Sequence, residues 1–472
     1  MPTGKTLRRL LPIRTRERQV PWAWVGLVAL PWASMNYFEQ ISNVALMFKL
    51  HEFVTVPLVI TLAGSLNQVF NIVVGSFCCY ASDHIWTPIG RRKPFLLVGW
   101  ATVALGCLLF PGIGHLGWFL SLLFFYELLR DLASPYGALC YEIVPPPQRG
   151  RANAAFNFAR NGMSAVFFGV LIGRWDDSYA LPWGGHLSGQ EIIFWTGSLI
   201  AGLTVVFVVF LVHEEHPQPL PPAAAGLVAQ GNAQGFRSFL RNVFVNRQWR
   251  ALYVISAAQI IFWIDLGNLS PFLYTQQWGF SKQAYGYILA VTTVSGLFVF
   301  LPLGGWLIDR FNRLRLFQAL TAAMTLKLFL FYLFIALMVP VDGPSFQTVL
   351  IFKLVGTGIG TISVAASTAL IFDYVPRNSM GTVTAGISIV RGVVSILVNA
   401  GIGVWVTLPV WLSTPDSSDE RAANYNYASG YLYLVLCGCA ATLAVHWFAR
   451  RDHNGNLLQL GALEARNEAG ET

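Results

Sequence analysis

Glu39, Glu127, Arg130, Asp131, Arg160, Asp265, Lys327, Lys353 and Arg391 all stand inside long apolar stretches of this chain. A charge at the centre of a bilayer costs about 2.5–3.5 kcal/mol on insertion scales, so each needs a partner or a water-filled cavity. Glu127 and Asp131 are four residues apart and Arg130 is three from Glu127, which puts the three on one helical face. Two carboxylates so close in a low dielectric do not both ionise readily, so this pair is the candidate proton carrier; mutual neutralisation by Arg130 is the alternative. Helical rise sets Arg160 and Asp131 at similar depth, where they could pair across the first-half cavity or where Arg160 could lock span four to span five. Glu39 shares a polar stripe with Asn36, Tyr37, Gln40 and Asn43, suited to a cavity or a neighbouring helix rather than lipid. Asp265, with Gln259 and Asn268, forms a second stripe. Lys353 lies near the outer end of its stretch and is expected to snorkel to the interface. Lys327, at mid-stretch, divides evenly between function and packing.

The elements that hold these residues follow from composition. A chain of 472 residues would make about three soluble domains. Only 11% of residues are charged, 55% are hydrophobic, and mean hydropathy is +0.54, so several water-exposed domains cannot be coated. Disordered, collagenous and disulfide-rich classes and a cytosolic enzyme are poor fits. Twelve stretches of membrane-spanning length emerge, near residues 22–50, 54–81, 95–113, 118–141, 153–173, 192–212, 251–274, 285–308, 316–339, 346–372, 383–408 and 427–448. They are numbered spans one to twelve. The fold class is therefore an all-α membrane protein. The basic N-terminal stretch runs directly into the first span, so no removable signal peptide is expected. The six cysteines read as buried small hydrophobes with free thiols. There is no zinc spacing, nucleotide loop or nucleophile elbow, so no metal, no cofactor, no enzymatic activity and no nucleic-acid partner is expected. Gly356, Gly358 and Gly360 lie within an apolar span and read as close helix packing; Asn268-Leu269-Ser270 fits a glycosylation pattern but sits inside a span.

When the spans are alternated, Lys and Arg concentrate in the N-terminal tail, the even-to-odd loops and the C-terminal tail. Only Lys49, Arg174, Lys282 and Arg421 fall in the opposite loops. This places both termini in the cytoplasm and makes membrane lipid the natural partner of the net charge of +8. Residues 217–235 are rich in Pro, Ala, Gly and Gln and read as a linker, and 236–250 as a basic amphipathic helix on the inner leaflet. The domains expected are a bundle over 1–212, a linker with its helix over 213–250, a second bundle over 251–449 and a tail over 450–472.

The halves echo one another. At one constant offset Ala138/Ala369, Leu139/Leu370, Val144/Val375, Pro145/Pro376, Gly150/Gly381, Ala154/Ala385, Arg160/Arg391 and Ser164/Ser395 are identical. Asp83 to Gly90-Arg91-Arg92-Lys93 likewise parallels Asp309-Arg310-Phe311-Asn312-Arg313. Parallel duplication of six-span halves is how many secondary transporters build a substrate site between repeats.

These loops resemble the signature of the major facilitator superfamily across nearly the whole chain. Ser82-Asp83-His84 through Gly90-Arg91-Arg92-Lys93-Pro94-Phe95, together with Pro135-Tyr136-Gly137-Ala138-Leu139, Glu142 and Arg149-Gly150-Arg151-Ala152-Asn153-Ala154, is similar to the sucrose transporters and related glycoside-pentoside-hexuronide cation symporters. The sequence departs at His84, where the pattern prefers Arg, at Asn312, where it has Gly, and at Gly137, where plant sucrose transporters carry Arg. The resemblance implies two pseudo-symmetric six-helix bundles and alternating access. It implies symport of a small neutral sugar or glycoside, a disaccharide such as sucrose or maltose being favoured, with a proton or else sodium as coupling ion, in a bacterial inner membrane and as a monomer. Substrate contacts are then expected from Asn36, Tyr37, Glu39, Gln40, Asn71, Tyr136, Asn157, Arg160, Asp265 and Asn268. Proton coupling falls to Glu127, Asp131 and Arg130. Gating falls to Asp83, Arg91, Arg92, Glu142, Arg149, Asp309, Arg313, Asp373 and Arg391, since loop charges can pair in one access state and separate in the other. A proton-coupled exporter of drugs or metabolites and a non-transporting membrane assembly factor remain as alternatives.

Overall fold

A computed structural model of the protein describes residues 21–84, 87–144, 148–182, 184–211, 244, 249–338, 343–374, 380–413 and 424–452. Most of the expected linker, its amphipathic helix and both tails lie outside the described residues. Among the described residues ten helical segments are long and apolar enough to cross a membrane, which makes the chain an integral multi-pass membrane protein. Spans one and four are also helical, over Trp22–Gln40 with Leu46–His51 and over Leu116–Arg130 with Tyr136–Ile143. Their polar and charged residues keep them out of the purely apolar set.

Several spans are not continuous α-helix. Five-residue π segments interrupt spans one (Ile41–Ala45), two (Asn71–Gly75), five (Phe167–Leu171), seven (Leu273–Gln277) and eight (Gly296–Phe300). Such insertions often mark functional sites within helices. Span four breaks at the 3-10 turn Asp131–Ala133, where Pro135 contributes no N–H. Span seven breaks after Trp263, where Asp265 takes φ 50° and Gly267 φ 55°. A left-handed aspartate within a span is uncommon, and such strain persists only where surrounding contacts hold it.

The chain divides into two compact units, Met1–Ile41 with Val74–Glu214 and Ser42–Val73 with Glu215–Thr472. The segment Ser42–Val73 thus belongs with the second unit, which a boundary drawn at residue 212 does not anticipate. In the first unit, helix Trp22–Gln40 packs along Arg149–Val166, and Lys93–Leu109 along Gly189–Leu211. The core includes the fully buried Tyr37, Phe110, Phe119, Tyr126 and Phe194. Ser34 and Thr204 share a hydrogen bond of 2.7 Å between helices. An antiparallel hairpin, Ser178–Ala180 with His186–Ser188, links spans five and six. The Glu191 carboxylate accepts from the Ser188 N–H at 2.7 Å, and the Ser188 hydroxyl accepts from the Glu191 N–H at 3.2 Å, a reciprocal cap at the start of span six.

In the second unit, helix Pro57–Phe70 packs along the long helix Met380–Ser413, with the Leu58 N–H donating to the Thr407 hydroxyl at 3.1 Å. That contact carries Ser42–Val73 into this unit. Arg313–Met338 packs against Phe346–Tyr374 and Gly430–Asp452. Two close approaches depend on glycine. A Cβ on Gly64 would lie 1.5 Å from the Asn268 amide nitrogen, and one on Gly267 would lie 1.9 Å from the Asn399 amide oxygen. Asn312 accepts from the N–H groups of Leu314 and Arg315, each at 3.1 Å, so the departure from Gly at this position supplies an N-cap to span nine.

Candidate functional site

The polar stripe of span one meets span five inside the first unit. An Arg160 guanidinium N–H donates to the Glu39 carboxylate at 2.7 Å. With its amide nitrogen turned toward Ser164, Asn36 donates to the Ser164 hydroxyl at 2.5 Å and to the Arg160 carbonyl at 3.1 Å, while its oxygen accepts from the Arg160 Nε–H at 3.2 Å. Gln40 also donates to the Ser164 hydroxyl, at 3.2 Å. The Glu39 and Arg160 side chains keep 41% and 43% exposure, so the pair opens to the surface of the unit. A patch of this polarity is unsuited to hydrocarbon. Asn157, one turn before Arg160, donates to the Asn153 carbonyl at 3.0 Å. In the same helix Phe156 stacks with Trp32, rings 5.9 Å apart, and a Cβ on Gly137 would make ordinary van der Waals contact with that indole at 3.6 Å.

Two expected substrate contacts are placed elsewhere. The Tyr37 hydroxyl donates to the Ile193 carbonyl at 2.8 Å and the Tyr136 hydroxyl to the Val28 carbonyl at 2.7 Å, and both side chains are fully buried. Their polar ends are used in tying helices together. The expected pairing of Arg160 with Asp131 is also corrected. Asp131 lies 3.6 Å from Arg130, which also pairs with Glu127 at 3.1 Å, and Arg160 belongs to Glu39. The neighbour in sequence reaches Asp131 first because the helix breaks there. Glu127 and Asp131 are only 3% and 6% exposed, so this trio is sealed within the unit. Gly99 makes the burial possible, since a Cβ there would come within 2.9 Å of the Ala133 backbone nitrogen.

The second unit holds a different cluster at the break of span seven. Lys353 donates to Asp265, and the Tyr431 hydroxyl donates to the other oxygen of the same carboxylate at 3.0 Å. Lys353 is therefore a buried ion-pair member rather than a snorkelling residue, and its ammonium stands 5.2 Å from the Tyr274 ring centroid. Lys327 is 9% exposed and lies over the Phe331 ring at 5.2 Å. Arg391 donates to the Gln259 amide oxygen, which also accepts from the Ser367 hydroxyl at 2.8 Å. Asn268 is spent on packing against Gly64, and Asn71 is exposed at the start of the π segment of span two. The sequence reading missed Ser164, Tyr431 and the role of Lys353. The repeat identity Ser164/Ser395 was a usable signal for the first; nothing local marked Tyr431.

Among the gating candidates, the side chains of Asp83, Glu142, Arg149 and Asp373 lie outside the described ones. Arg92 is buried and Arg91 half-buried at the start of span three. The preceding loop is a tight turn in which the Thr87 hydroxyl donates to the Gly90 carbonyl at 2.6 Å, with Gly90 at φ 128°. Asp309, Asn312 and Arg313 line a cavity of about 370 Å³ with Phe311 and Leu370. Among the described residues Cys78, Cys107, Cys140, Cys437 and Cys439 are thiols outside any disulfide; the side chain of Cys79 is not among those described. Among the described residues no group of His, Cys, Asp and Glu could hold a metal.

A family model described as Major Facilitator Superfamily matches residues 23–399. Among curated proteins, none matches the chain in sequence. The fold is similar to that of a D-xylose-proton symporter, at TM-score 0.62 and 14% identity over 90% of this chain and 96% of that one. It is similar to the inward-open xylose transporter XylE from E. coli, at TM-score 0.60 and 15% identity over 90% and 95%. It also resembles the POT family transporter PepTSo, at TM-score 0.65 and 12% identity over 92% and 99%. With most of its length matched by the family model and its helices arranged as in solved relatives, the chain belongs to the major facilitator superfamily and is a membrane transporter, not an enzyme.

Proposed function

We propose that the protein is a proton-coupled symporter of a sugar or glycoside, working by alternating access. The observation that carries this reading is the open, hydrogen-bonded Glu39–Arg160 pair, surrounded by Asn36, Gln40 and Ser164 and flanked by Trp32 on Phe156. A sugar calls for charged and amide hydrogen-bond partners and an aromatic face, and these residues supply both. The similarity to xylose transporters supports a sugar in particular.

Coupling requires a group whose protonation changes affinity between access states. A proton must also reach that group from water. The Glu127–Arg130–Asp131 trio is sealed, whereas Glu39 is open, so Glu39 is the coupling carboxylate and the trio fastens span four internally. Protonating Glu39 releases Arg160, which is then free to bond solute hydroxyls. Asp309, Arg313 and the matching loop of the first half act at the inner gate, with both termini cytoplasmic and the protein a monomer in a bacterial inner membrane. Purified protein in liposomes should accumulate a disaccharide when the outside is made acidic and should lose accumulation when a proton carrier collapses the gradient. Uptake indifferent to the gradient would remove proton coupling; no uptake of any sugar from a panel of mono- and disaccharides would remove the substrate class.

A further inference from the structure

Asn36 and Ser164 are 5% and 6% exposed, whereas the side chains of the Glu39–Arg160 pair beside them keep 41% and 43%. The Asn36 amide is occupied at both ends by span five. Its nitrogen donates to the Ser164 hydroxyl and to the Arg160 carbonyl, and its oxygen accepts from the Arg160 Nε–H at 3.2 Å. Asn36 and Glu39 therefore hold different nitrogens of one guanidinium, Nε and Nη2, and Nη1 has no partner among the described residues. The two holds differ in kind. A carboxylate that takes up a proton loses its charge attraction for the guanidinium, whereas a neutral amide oxygen accepts a hydrogen bond at any pH. The internal repeat shows the hold on Nε to be particular to the first unit. Arg391, the counterpart of Arg160, bonds Gln259 through Nη2, and its own Nε is buried without a hydrogen-bond partner among the described residues. Ser395, the counterpart of Ser164, accepts from Asn399 of its own helix at 3.4 Å.

We propose that Asn36 is the positioning residue of Arg160: it keeps the guanidinium anchored by its Nε–H whether or not Glu39 carries a charge, so that only the Nη edge changes partners. The change of partners rests on the transport reading above; the anchor does not. Protonation of Glu39 frees Nη2 beside the unpartnered Nη1, which makes a fork of N–H donors suited to paired solute oxygens. A fork held at Nε has given up much of its rotamer freedom before a solute arrives, and binding then has less ordering to impose. Asn36, expected from sequence to touch the solute, acts on it through Arg160 instead.

The test is hydrogen exchange at the Arg160 Nε–H, followed by NMR of the purified full-length protein carrying isotope-labelled arginine, with the signal assigned by its loss in Arg160→Lys. Glu39→Gln stands in for the protonated carboxyl, and in it the Nε–H should exchange at the wild-type rate. Asn36→Ala should speed exchange by at least about tenfold, the scale of one hydrogen bond to a charged group. Asn36→Asp keeps an oxygen for the Nε–H and should restore the slow rate. The Nε–H of Arg130, buried in the same unit, should keep its rate in every variant. A rise at Arg130 together with Arg160 would mean a loosened bundle and overturns the positioning role. Fast exchange in Glu39→Gln would make the carboxylate the anchor and overturns the proposal, and this arm decides even if Asn36→Ala does not fold. Slow exchange in Asn36→Ala overturns it as well. Sugar uptake indifferent to a proton gradient removes the transport reading without altering any of these rates, so the two fail separately.

Discussion

Arg160 donates to the Glu39 carboxylate at 2.7 Å, while its counterpart in the internal repeat, Arg391, donates to the neutral Gln259. The same inherited arginine joins span five to span one in the first half and span eleven to span seven in the second. Only the first has a partner that can take up a proton in exchange for it. The duplicated halves therefore share a scaffold but not a chemistry, with an ionisable carboxylate opposite the arginine of the first and a neutral amide opposite that of the second.

Glu39→Gln should leave solute exchange across liposomes intact and reduce gradient-driven accumulation at least about tenfold, the scale of a typical coupling free energy. Paired counterflow and accumulation assays check this. Unchanged accumulation would place coupling elsewhere.

Glu127→Gln or Asp131→Asn should behave as a stability lesion. Breaking a buried ion pair costs about 3 kcal/mol, so thermal unfolding in detergent should shift down while uptake per folded molecule persists. A variant of normal stability that has lost accumulation would restore this trio as the proton carrier.

The Asp265–Lys353 pair should show coupling in a double-mutant cycle. Asp265→Asn strands two lysines near one another, and adding Lys353→Gln should recover about 0.5–3 kcal/mol of the loss. Additive effects in thermal or denaturant unfolding would mean the contact contributes nothing.

Gly64→Ala should destabilise the second unit by about 1–3 kcal/mol, because the new methyl would meet the Asn268 amide at 1.5 Å. Gly64→Ala with Asn268→Ala should regain part of that loss by opening space. Unfolding temperatures of the single and double variants measure both effects.

His51, which closes the helix Leu46–His51 just beyond the apolar stretch 22–50, donates to or accepts from Gln276 at 2.5 Å and lies against Phe272, rings 4.6 Å apart. Burial, with Lys282 nearby, holds its imidazole below the usual 6.5, and a backbone hydrogen bond at Val54 opposes this only in part. Lys49 and Glu52 pair with each other beside it at 2.6 Å. The unfolded chain binds a proton at His51 more readily than the folded one, so this contribution to stability is complete above about pH 6.5 and falls away as the solution is acidified. His51→Gln should flatten the drop in unfolding temperature between pH 7 and pH 5 (about one unit either side of a histidine's ordinary range); an unchanged slope would assign the drop to other groups.

Apolar runs of bilayer length, the sparse charges inside them and the repeated loop motifs made the membrane fold and the transporter family legible in the linear chain, because hydrocarbon forbids exposed backbone and penalises every charge. The sequence also named most of the residues that gather at the site, Asn36, Glu39, Gln40 and Arg160 among them. Partner choice was decided only in three dimensions. A helical break let Arg130 claim Asp131, a left-handed turn aimed Asp265 at Lys353 and Tyr431, and two tyrosines of promising position sank their hydroxyls into backbone carbonyls. Spacing along one helix fixes which residues share a face, but which charge neutralises which depends on contacts between helices far apart in the chain, and composition and period carry no record of those.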